Sequence, residues 1–200
     1  MRFRFWSALI FLFAFVSGCA VPPQMPINLA EDYFSAGKAK AGKVGVIMSE
    51  LPKPDTAFLG AGCLLCLAVA NATHSSLTTQ VQSFSVIELK PLPSDLVGLL
   101  KKQGIDAVLI EDAINVNDLP NLEVGDSTNK SRKDFSSLKT KHNVNRLLVV
   151  NIIALGVWRS YSAYFPTDPP RAIVNGNAAL IDLTTHTLEW FRPLNISRAS

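Results

Sequence analysis

The sequence predicts a single α/β (α+β) domain: a mixed or mainly antiparallel sheet with helices on one side and a long C-terminal β-hairpin. Three observations point there. Short β-branched apolar runs recur after Lys43 and at Ile105; a capped, striped helix signal leads directly into the second run; and the longest apolar stretch, from Arg146, is matched by another from Ala172. With 48% apolar and 18% charged residues in 200, the chain can bury a core, which excludes wholesale disorder. Its 12 Pro and 11 Gly show no triplet period, and no block repeats at a spacing of about twenty to fifty residues, which excludes collagen and solenoids.

Residues 1–18 read as a signal peptide: Arg2 and Arg4, an apolar run FWSALIFLFAFV, then Ser17 and Gly18. At about 1.5 Å per residue the run is too short for the roughly 30 Å hydrocarbon core. Val16-Ser17-Gly18-Cys19 resembles the bacterial lipobox, whose cysteine is diacylglyceryl-modified before cleavage. The alternative is an ordinary signal with a cysteine at its boundary. The resemblance implies lipidation of Cys19 by palmitate-type chains, and Ala20 in place of Asp resembles the pattern that sorts lipoproteins to the Gram-negative outer membrane, on its periplasmic face. Residues 19–30, with Pro22, Pro23 and Pro26, read as the lipidated cysteine and an extended tether, leaving 31–200 as the periplasmic domain. Loss of the first eighteen residues lowers the formal charge from +3 to +1, so nucleic acid is not an expected partner.

In the domain, VGVIMSEL is the first core strand, ended by Pro52 and Pro54. Residues 57–72 (AFLGAGCLLCLAVANA) lack any charge; they read as a helix from about Gly62 buried against the sheet, or as a membrane-dipping or partner-covered segment. The polar run 73–82 returns the chain to water. Ser94 caps a helix with Leu96, Val97, Leu99 and Leu100 on one stripe and Gly104 at C′, and strand 105–110 follows. Asp134 caps a short helix, 135–142, that ends at Asn143. A strand from Arg146 to about Tyr164, bent or bulged at Gly156, pairs with 172–183, and 187–192 is the last strand before Pro193.

This strand, turn and strand pattern ("RLLVVNI", then "ALIDLTTHTLEW") resembles small periplasmic lipoproteins with an anticodon-binding-like α/β fold, of the curli-secretion and penicillin-binding-protein-activator type. It spans residues 144–192. The resemblance implies a non-enzymatic accessory or assembly subunit of an envelope machine, acting through protein contacts. It assigns no functional residue and leaves the oligomeric state open.

Catalytic signals are sparse. Cys63 and Cys66 form a C-x-x-C that reads as a structural disulfide, as buried thiols, or as the redox pair of an envelope thiol oxidoreductase. His74, His142 and His186 match no metal-ligand spacing, and no cofactor or nucleotide motif occurs. Glu111 and Asp112 end a strand, where α/β proteins often place catalytic groups, but adjacent acids also simply open a solvated loop. Lys130, Arg132, Lys133, Lys139 and Lys141 form a basic run suited to anionic headgroups or to plain solvation. The expected partner surface is Trp158, Tyr161, Tyr164, Phe165 and Arg171, unless those rings cap the core.

Overall fold

In the computed structural model, residues 23–33, 42–125 and 127–199 are described. The β-branched runs become strands β1 (Val44–Met48), β3 (Ala107–Leu109), β4 (Arg146–Ser162), β6 (Arg171–Asp182) and β7 (Thr187–Ala199), joined by β2 (Asp55–Leu59) and the two-residue β5 (Phe165–Pro166). Among the described residues four α-helices accompany them: α1 (Leu64–Thr73), α2 (Ser75–Gln82), α3 (Leu92–Lys102) and α4 (Ser136–His142). The sheet is mixed. Its order is β3-β1-β4-β6-β7; β1 runs parallel to β3 and to the start of β4, whereas β4, β6 and β7 are antiparallel. The C-terminal hairpin of β6 and β7 is present, and the domain is of the α+β class.

β4 is the spine because its 17 residues are longer than any one neighbour needs. β1 pairs with residues 146–150 of its edge and β2 with residues 156–160, so the two lie end to end. Alternation then divides the core. Val44 and Val46 face a cluster with Val97 of α3 and Tyr33, while Ile47, one step along β1, faces the other side with Leu147, Val149, Phe135 and Leu138. Helices on one side is therefore corrected: α3 covers one face, and α4, through Leu138, lies on the opposite one.

The phase of β4 changes midway. Its register with β6 shifts between Ile152 and Ala154, so Leu155 shares a cluster with Val150 and Ile152. The bulge thus precedes Gly156, which serves another purpose: its φ is +138°, and a Cβ there would lie 1.9 Å from the Asp55 carbonyl oxygen.

Other expectations shift for local reasons. The charge-free segment 57–72 is divided, because residues 55–59 pair with β4 and only 64–73 are helical. The polar run is a helix, α2, anchored by a Thr56–Thr78 hydroxyl bond of 2.6 Å. α3 begins at Leu92, with Pro93 in its first turn and the Ser94 hydroxyl donating to Pro91 O, so Ser94 is not the N-cap. Gly104 does sit past its end at φ +77°. β7 continues through Pro193, which an edge strand tolerates.

The expected tether docks early. Ile27 exchanges backbone hydrogen bonds of 3.0 and 3.1 Å with Phe191 on β7, and Gln24 Nε2 donates to Thr128 O. Tyr33 closes this segment onto the sheet, its hydroxyl 3.1 Å from Glu189 Oε2. Arg146, only 9% exposed, donates to the same carboxylate at 2.7 Å and lies over the Tyr33 ring. Burial and the neighbouring carboxylate push the Tyr33 hydroxyl well above its ordinary range. The four apolar clusters and the side chains packed on them all lie at or beyond Ile27. Residues 1–22, including Cys19 and the signal sequence, lie outside the described residues.

Candidate functional site

The five expected partner residues occupy three environments. Tyr161 is corrected to core: 7% exposed, it packs with Phe58, Ala61, Cys66 and Ala70 beneath α1. Tyr164 and Phe165 do project, at 43% and 74% exposure, and the Tyr164 hydroxyl reaches the start of α1, 3.8 Å from Cys63 Sγ. Trp158 and Arg171 pair across β4 and β6 on the face opposite Tyr161.

That opposite face is open at its distal end, since α4 reaches only the proximal cluster. Leu59, Trp158, Arg171, Ile173, Asn195 and Ile196 line a groove there of about 350 Å³. Asp168 closes one side. Its Oδ1 accepts from the Ser160 backbone N–H at 2.9 Å, which holds the carboxyl below the usual aspartate range. β7, which forms the outer wall, has β6 along one edge and, past the Ile27 bridge, no further described strand along the other. The groove therefore offers apolar walls, one cation, one anion and an accessible strand edge.

Behind the groove, on the α1 face, Arg159 ties the distal loops together. Its Nε donates to Asp168 O at 2.9 Å and its Nη1 lies 3.2 Å from His74 Nε2. His74 stacks on Phe58 and meets Tyr161 edge-on. Burial, with the Arg159 charge beside it, lowers the His74 pKa, so the ring accepts from the guanidinium in its neutral form.

No protein-family model matches the chain, and no curated protein matches it. Among solved structures, the crystal structure of lipoprotein GNA1162 from Neisseria meningitidis is similar at 12% identity and a TM-score of 0.30, over 79% of this chain and 83% of that one.

Among the remaining candidates, Cys63, Cys66, Asp112, Lys130 and Lys133 have structural partners. Cys63 and Cys66 are joined by a disulfide across the first turn of α1, with Cys63 exposed as N-cap and Cys66 buried. Asp112 is held by Lys141 and His142, each at 2.8 Å, and these hydrogen bonds lower its pKa. The basic run fastens its own loop: Lys130 Nζ donates to Thr185 O, and Lys133 Nζ to Asn117 O and Leu119 O. Among the described residues, no three His, Cys, Asp or Glu side chains gather as a metal site.

Burial of residues 57–72 against the sheet is the expectation most changed. α1 buries only Cys66 and Ala70, while Leu64, Leu65, Leu67 and Val69 are 92%, 63%, 42% and 40% exposed. The reason is that small residues form the seam with the sheet and the large ones point away. Sequence reading missed this because apolar composition says what a helix prefers, not which of its sides a neighbour covers. No described helix is long and apolar enough to cross a membrane.

Proposed function

We propose that this chain is a lipid-anchored envelope protein, held through Cys19 at the periplasmic face of the outer membrane, that serves as a non-enzymatic accessory or assembly subunit. The observation that favours this reading is the distal groove around Trp158 and Arg171, open along the β7 edge, which suits an extended segment of another envelope protein. Trp and Arg are side chains that concentrate binding energy. The anchor follows from the lipobox resemblance of Val16-Ser17-Gly18-Cys19. Two acyl chains suffice for stable attachment.

Two experiments test the reading. Metabolic labelling with a palmitate analogue should mark the native chain and not a Cys19→Ala variant; equal labelling of both removes the anchor. A Trp158→Ala, Arg171→Ala double variant should melt like the native protein and lose its crosslinked partner from intact cells. Retention of that partner removes the groove from the interface.

A second reading, an envelope thiol oxidoreductase, draws on one observation: the disulfide sits at the α1 N-terminus with Cys63 exposed and Cys66 beneath it. Insulin reduction that disappears with Cys66→Ser would favour it over the accessory role.

A further inference from the structure

Helix α1 exposes apolar side chains over more of its circumference than one facing surface can cover. At about 100° per residue, Leu64, Leu65, Leu67 and Val69 sweep an arc of roughly 200°, and Cys66 and Ala70 form the narrow seam that meets the sheet. A helix that docks on a protein needs an apolar stripe of little more than about 100°. The excess lies on both flanks of α1, where only a medium that flows around the helix reaches.

Charge gives a second argument. Residues 56–87 contain no Asp, Glu, Lys or Arg, and residues 160–167 contain none either. The fold brings these two stretches together at Cys63 and Tyr164, so Phe165, at 74% exposure, extends the same patch. Protein interfaces carry polar rims and often Arg anchors, whereas hydrocarbon rejects every charge. The polar residues of this region are placed to match: Asn71 and Thr73 end α1, and Ser75, Ser76, Thr79 and Gln80 follow on α2. The apolar turns 64–69 span about 9 Å of helix axis, far short of the roughly 30 Å hydrocarbon core, which fits contact with one leaflet and not a span.

We propose that α1, with Tyr164 and Phe165, inserts into the headgroup and acyl boundary of one leaflet of a phospholipid bilayer. The contact is separate from the Cys19 anchor: Phe191, where the amino-terminal segment docks, pairs with Ala179 opposite Val149, roughly 40 Å along β4 from Ser162 at about 3.3 Å per residue. It also leaves the Trp158 groove free on the other face.

The test uses residues 23–200, which keep every residue of the four apolar clusters and omit Cys19. In flotation with phosphatidylethanolamine and phosphatidylglycerol vesicles, this chain should rise with the lipid and remain bound in 1 M salt, where charges are screened beyond about 3 Å. A Leu64→Gln, Leu65→Gln, Leu67→Gln variant should bind at least about tenfold less while melting like the native chain. Should that variant unfold, Leu65→Trp reports instead, through a blue-shifted emission on vesicles and quenching by brominated lipid. Absence of flotation, release by salt, equal binding of the triple variant, or an unquenched Trp each overturns the proposal. In intact cells, a photoreactive residue at position 65 of the full chain should yield lipid adducts, and a protein adduct overturns the lipid assignment in favour of a protein occupant.

Discussion

Replacement of Gly156 by Ala should detach the distal cap formed by β2, α1 and α2, residues 55–82, while the rest of the domain stays folded. The backbone at Gly156 has φ +138°, a conformation that costs an L-residue about 1–3 kcal/mol. A Cβ there would stand 1.9 Å from Asp55 O and 2.7 Å from Asp55 N, and both are backbone atoms that cannot swing aside. β2 must therefore move off β4, which puts at risk the parallel ladder that pairs residues 55–59 with 156–160. At about 1 kcal/mol net per hydrogen bond, loss of two or three bonds brings the total to about 3–6 kcal/mol. The loss is local because, of the four apolar clusters, only that of Phe58, Ala61, Cys66, Ala70 and Tyr161 draws on residues 55–82. Hydrogen exchange by mass spectrometry reads this directly. Protection across residues 55–82 should fall by about two to four orders of magnitude, with β1, β3 and the proximal half of β4 unchanged. Unchanged protection of 55–82 would refute the close approach at Gly156, and an equal loss in β1 would refute the independence of the cap.

Further outcomes follow from single contacts. Glu189→Gln removes the charge facing Arg146, whose side chain is 10% exposed, and should cost about 2–3 kcal/mol in urea unfolding while loosening the segment held by Tyr33. Leu67→Asp, at a position 42% exposed, should change stability by no more than about 0.5 kcal/mol in the unbound protein. Tyr161→Ser should lower the melting temperature markedly while Phe165→Ser leaves it in place, since the first ring is 7% exposed and the second 74%. The His74 pKa is lowered in the fold, so as pH drops below the ordinary histidine value of about 6.5 the unfolded chain takes up a proton that the folded chain resists. Stability of the cap should decline through that acidic window and stay flat in His74→Asn, as measured by exchange of residues 64–82.

Much of the fold is legible in the residues because it depends on neighbours close in sequence. The run from Arg146, its antiparallel partner, the turn at Thr184–His186, the end of α3 at Gly104 and the end of α4 at Asn143 are all set by apolar runs and by residues that tolerate a left-handed backbone. Asp134 does accept from the Ser136 N–H at 2.8 Å, but the N-cap of α4 is Phe135, one residue after the position its place in the chain predicts. The site is less legible. Tyr161, Tyr164 and Trp158 read alike in the chain, yet the bulge after Ile152 sets the phase of β4, so Tyr161 faces the α1 seam, Trp158 faces the groove, and Tyr164 passes beyond the strand. The helix at Leu64 shows the same limit: sequence determines that it is helical, apolar and free of charge, and tertiary structure alone decides that Cys66 and Ala70 meet the sheet while the leucines do not. Periodicity is a property of one segment, whereas burial belongs to a pair of surfaces, and the second surface here joins Phe58 and Ala61, just before the helix, to Tyr161 from the far end of β4.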